Sequence, residues 1–194
     1  MTITKDEAAS ALSEISAVHH RSATLKNYRY AAPHMMIWGV VWLVANCLSD
    51  VYPAQIGRIW PILSFIGGIA SFTLGSRMQA QRLGPGGSIG TIARADHGWR
   101  SGLTAVVVFA YFSACFAVLP PTSSVQGVAI ISLFFTFAYM VFGAWAGLRV
   151  FLVGMIASAA ILYGYFGVVV HQFLWIGVFA GGALIMGGLW VRKI

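Results

Sequence analysis

The chain has 194 residues, 59% of them hydrophobic and 9% charged, with a mean hydropathy of +0.81. A soluble domain carries about 25% charged residues, so this chain has too few to cover a water-facing surface, and a soluble globular fold is excluded. The formal charge of +7 speaks for membrane topology rather than nucleic acid, because basic residues gather in the cytoplasmic flanks of membrane spans.

Residues 1–29 are polar and include acids, without the basic and apolar regions of a cleavable signal. Thr4 and Glu7 have capping-box spacing. Ala8, Leu12, Ile15 and Val18 then recur at helical spacing. The pattern predicts a short amphipathic helix from about Lys5 to about Lys26. Such a helix docks on its own bundle, lies on the membrane surface, or binds a partner.

The first apolar run long enough to span ~30 Å of hydrocarbon covers residues 31–50. Pro33 stands in its expected first turn, where a missing N–H costs little. Tyr28, Tyr30, Trp38 and Trp42 supply aromatic anchors. Further spans are expected at 58–76, 102–120, 124–146, 150–167 and 172–191. The basic loop 77–100 joins the second and third and has a glycine-rich, turn-forming centre, LGPGGSIG. That centre lacks the Lys-Ser/Thr of a phosphate-binding loop, and reads as a hinge between two groups of three spans.

Orientation follows from charge. Of the 12 Lys and Arg residues, all but Arg58 fall on the side that holds the N-terminus. The expected protein is therefore an all-α bundle of six transmembrane helices in the inner or plasma membrane, with both termini cytoplasmic.

Few residues in the spans carry chemistry. No Asp or Glu follows Asp96, and Asp50 stands at an outer helix end. Buried carboxylates mark proton and cation pathways, so their scarcity argues against an ion-coupled pump. The histidines include no i, i+4 pair within a span, as a helix-borne metal site would want. Cys47 and Cys115 lie in apolar runs and read as packing residues. No catalytic residue, metal ligand or cofactor is expected.

The intramembrane polar candidates are Asn46, Thr73, Thr136 and Ser158, read either as interhelical hydrogen-bond partners or as the lining of a pathway. Asp50 and Arg58 form a candidate outer-face pair. Small residues in close-packing spacing are Gly67, Ser71 and Gly75 in the second span, Gly143 and Gly147 between the fourth and fifth, and Gly177 and Gly181 in the sixth.

Two functions fit these features. One is a non-enzymatic accessory, sensory or assembly component that engages a membrane or cytosolic partner through residues 1–29. The other is a small oligomeric transporter or channel for a neutral or apolar substrate. The lipid bilayer is the expected environment of both.

Overall fold

The computed structural model describes residues 5–83, 103, 106–107, 110–111, 113–168 and 170–193, and among these all regular structure is helical. Helix α1 is Lys5–Val51. A 3-10 turn, Pro53–Gln55, leads into α2, Ile56–Leu83. Helices α3, Ser124–Ala146, and α4, Leu148–Gly167, follow. The last span is one rod in three parts: α5, Gln172–Ile176; a π-turn, Gly177–Gly181; and α6, Gly182–Arg192.

Among the described residues, five stretches are long and apolar enough to cross a membrane: Leu25–Val51, Pro53–Met78, Ser124–Trp145, Leu148–Gly167 and Gln172–Arg192. The chain is thus an all-helical, multi-pass membrane protein. The expected span 102–120 lies only partly within the described residues, of which 103, 106–107, 110–111 and 113–118 are helical. The glycine-rich loop centre and His97 lie outside them.

Two boundaries differ from expectation. The lead-in and the first span are one 47-residue helix, with Pro33 in its interior rather than its first turn. No Gly or Pro interrupts residues 5–32, so nothing local stops the helix before the membrane. Inside a bilayer a proline within a helix is tolerated because neighbouring groups satisfy the freed backbone. Likewise α2 continues through Leu83, beyond the expected end at 76, since residues 77–83 hold no glycine or proline.

The packing register is legible in the closest contacts. A Cβ at Gly39 would lie 2.7 Å from Ile185 Cγ1 and 2.8 Å from the Gly181 carbonyl. Further along the same seam Gly188 meets Ala32 and Met36, and Gly177 meets Leu43 and Asn46. Numbers rise along α1 as they fall along the last span, so the two run antiparallel with their backbones in close approach. Helix α2 is also antiparallel to α1: Gly67 faces Val41 and Trp38, while Gly75 faces Tyr30 and His34. Helices α3 and α4 form an antiparallel hairpin, with Gly154 against Met140 and Thr136.

Gly147 is the whole joint of that hairpin. Its φ of 141° lies in a region closed to residues with a Cβ, and the Tyr28 ring occupies the space a side chain would fill. The expected Gly143–Gly147 packing pair is therefore corrected: Gly143 lets the Phe151 backbone approach, whereas Gly147 ends one helix and starts the next.

The core lies where α1, α4 and the last span meet. Met35, Trp42, Val150, Ile161, Ile176 and Leu184 are fully enclosed there. Trp38 stacks on Phe135 of α3 at 5.7 Å between ring centroids, and Trp42 meets the same ring edge-on at 6.3 Å. Helix α2 is peripheral, with Phe65 and Phe72 turned away from the bundle. Lipid is as apolar as these side chains, so association relies on van der Waals contact and buried polar pairs. That explains why the glycine seams, rather than a large apolar stripe, organise the bundle.

Candidate functional site

The four intramembrane polar residues do not converge on one point. Ser158 Oγ on α4 donates to Thr136 Oγ1 on α3 at 2.7 Å, and Thr136 donates to the Leu133 carbonyl at 3.0 Å. This pair is an interhelical clasp, a class of bond that contributes about 0.6 kcal/mol on average in membranes. Thr73 is different. It is exposed on peripheral α2 and its hydroxyl returns to the carbonyls of Ile69 and Ala70 at 2.9 and 3.0 Å. Its inclusion in a shared polar site is corrected, because α2 turns that face away from the bundle.

Asn46 is fully enclosed on α1. Its Nδ2 donates to the Trp42 carbonyl one turn back at 2.9 Å, while its Oδ1 has no partner. It packs beside Gly177, the first residue of the π-turn. Ser49, one turn on, donates to the Ala45 carbonyl at 2.7 Å. The Ser132 and Ser71 hydroxyls are buried without a partner. Ser71 lies between Gly67 and Gly75 on the face of α2 that meets α1.

At the end of the bundle where α1 finishes, Asp50 has a partner the sequence did not indicate. Its Oδ2 lies 2.6 Å from His171 Nδ1. The expected Asp50–Arg58 pair is replaced by this contact, while Arg58 stands exposed at the start of α2. His171 is the one non-glycine residue with positive φ among those described, at 58°. Histidine is enriched in this left-handed region. The conformation turns the chain sharply into the last span, and the His171 carbonyl then accepts from Trp175 N at 3.0 Å. The imidazole thus ties the α4–α5 corner to the end of α1. A shallow apolar cleft of about 300 Å³ lies beside it, walled by Trp175, Phe179 and Val178.

The opposite end is basic. A cavity of about 1000 Å³ opens there between α1, the lower part of α2 and the end of α6. Lys26, Arg29 and Arg192 stand around it. Pro33, Met36, Met78 and Val191 form much of its apolar wall, and no acid lines it among the described residues. In the sequence these cations read only as topology signals. The available clue was their position: Lys26 and Arg29 open the first span, and Arg192 closes the last.

Near this end Arg149 lies over the Trp190 ring at 4.9 Å from its centroid, a cation–π contact that joins the α3–α4 corner to α6. Cys47 and Cys115 are both free thiols. Among the described residues no three His, Cys, Asp or Glu side chains gather in a metal-binding group.

The geometry defines a class: a multi-pass helical membrane protein with a largely apolar interior, an interhelical hydroxyl clasp, and a basic cavity at one end. Comparison with protein families, with curated proteins and with solved structures returns no match for this chain.

Proposed function

We propose that the protein is a non-enzymatic accessory, sensory or assembly component of the inner or plasma membrane, and that α1 is its partner-docking arm. The observation that carries this reading is the form of α1. Twenty residues, 5–24, precede the apolar stretch that begins at Leu25. At 1.5 Å per residue they extend about 30 Å, so α1 is far longer than one membrane crossing requires. Leu12, Ile15 and Val18 on this extension are 68%, 55% and 67% exposed. They recur every three residues on one face, the pattern of a helix laid into a partner's groove. The same helix carries Met35 and Trp42 in the bundle core, so a load on the arm acts directly on the packing within the membrane.

A transport pathway through Asn46, Thr73, Thr136 and Ser158 is disfavoured. Thr136 and Ser158 satisfy each other, and Thr73 faces outward.

Six crossings with both ends cytoplasmic remain the preferred topology. Helices α2 and α3 both run antiparallel to α1, as the Gly67–Val41 and Trp38–Phe135 contacts together with the Tyr28–Gly147 contact indicate. Hence α2 finishes at the basic end and α3 begins at the other. The connection between them then makes one further crossing. With the charge asymmetry of the flanks, this supports the six-span count.

The docking reading is tested with Leu12→Asp and Ile15→Asp combined in the full chain. The expected outcome is loss of a stoichiometric protein companion that co-isolates with the unaltered chain from its native membranes, with thermal stability unchanged. Both side chains are exposed, and surface changes of this kind stay within about 0.5 kcal/mol. An identical set of companions for both forms would overturn the reading.

A further inference from the structure

The cavity at the basic end has two chemically distinct parts. Lys26, Arg29 and Arg192 give it three cations, while Pro33, Met36, Met78 and Val191 give it an apolar wall. The cations come from two helices that are antiparallel neighbours along the Gly39–Gly181 seam, so both helix ends hold them at the same level. That level is the membrane boundary, because the apolar stretch of α1 starts at Leu25 and that of the last span closes at Arg192. Cations here occupy the depth of lipid headgroups. Pro33 and Met36 lie deeper along α1, at the depth of the upper acyl chains, while Met78, which closes the apolar stretch of α2, stands at the boundary.

From this arrangement we infer that the cavity is a binding site for one anionic phospholipid. Its phosphate sits among Lys26, Arg29 and Arg192 beside Met78, and an acyl chain runs along Pro33 and Met36. Three features favour a lipid over a soluble anion. The wall beyond the cations is apolar, and a small anion would leave it empty. The volume of about 1000 Å³ lies at the upper end of the range for ligand pockets, ~300–1,000 Å³. Basic pockets between membrane helices also suit anionic headgroups by charge. Methionine adds adaptability, since its unbranched thioether chain fits irregular acyl conformations. The inference goes beyond the docking role of α1 and is independent of it, requiring only that the chain sits in a bilayer.

The test uses the purified full chain in a neutral detergent, with bound lipid counted by native mass spectrometry. Phosphatidylglycerol, phosphatidylcholine and inorganic phosphate are added in separate arms. One phosphatidylglycerol should be retained on the order of a hundredfold more tightly than phosphatidylcholine, as expected for three converging cations. Inorganic phosphate should not displace it. The combined Lys26→Gln, Arg29→Gln, Arg192→Gln variant should lose that preference, whereas Arg58→Gln at the opposite end should keep it. Met78→Trp, which fills the cavity without changing charge, should abolish retention of both lipids, and it covers the case in which the triple variant fails to fold. Equal retention of the two lipids by the unaltered chain would overturn the inference. So would a preference that survives both cavity variants, or displacement by inorganic phosphate, which would make the site one for a soluble anion.

Discussion

Gly181→Leu should dismantle the bundle. A Cβ at Gly181 would meet the Gly39 carbonyl at 2.9 Å and Leu43 N at 3.0 Å, and both are backbone atoms. A flexible side chain could swing aside, but these atoms cannot move without separating α1 from the last span. Gly39 is equally closed from its own side by Ile185 and the Gly181 carbonyl. Overpacking of an ordinary core costs about 1–3 kcal/mol, and a clash against backbone along a two-helix seam should exceed that. Thermal unfolding in detergent should show a fall in midpoint of roughly 10 °C or more, or no folded protein at all. That estimate takes about 2–4 °C per kcal/mol for a chain of this size. Gly182→Leu is the matched control, because nothing lies within 4 Å of a Cβ there; its midpoint should change little.

The second large effect is expected from Trp42→Ala. Trp42 is 2% exposed and meets Phe135 edge-on. Removing it leaves a void where α1 meets α3 and the core beneath. Large-to-small changes of this type cost about 3–5 kcal/mol. Lipid cannot readily fill an enclosed void, so most of that cost should persist in a membrane. Trp42→Phe should recover a substantial part of the loss by restoring an aromatic contact with Phe135. Equal stability of the alanine and phenylalanine forms would show that volume at this position does not hold α1 to α3.

Much of the membrane architecture was legible because hydropathy and length act locally. The runs at 124–146, 150–167 and 172–191 fall close to helices α3, α4 and the last span. Helix continuity was less legible. Pro33 reads as a start signal, and only its packing among other helices lets α1 pass through it. The π-turn at Gly177–Gly181 had no sequence signal beyond its two glycines.

Partner identities were hardest to read, since they depend on how each helix is rotated. Asp50 and Arg58 are near in sequence, yet Asp50 pairs with a histidine 121 residues away. Thr73 and Thr136 looked equivalent as hydroxyls within apolar runs. Their roles separate only because α2 is peripheral and α3 is not. Gly147 carried a helix-packing spacing, but its φ of 141° makes it a joint. The basic cavity was hidden in plain view, because cations that set orientation and cations that hold a ligand have the same composition.

The proposed topology puts the α1 arm and the end of the last span in the cytoplasm, with six crossings between them. The direct measurement is cysteine accessibility to a membrane-impermeant thiol reagent, added to intact cells and to inverted membrane vesicles. Both native cysteines are replaced by alanine, and single cysteines are introduced by Ser10→Cys, Gln55→Cys, Thr122→Cys and Lys193→Cys, all at exposed positions. Positions 55 and 122 should label from outside the cell, and positions 10 and 193 only in inverted vesicles. Labelling of position 122 from the same side as position 10 would contradict the proposed topology, because the connection between α2 and α3 would then make no crossing.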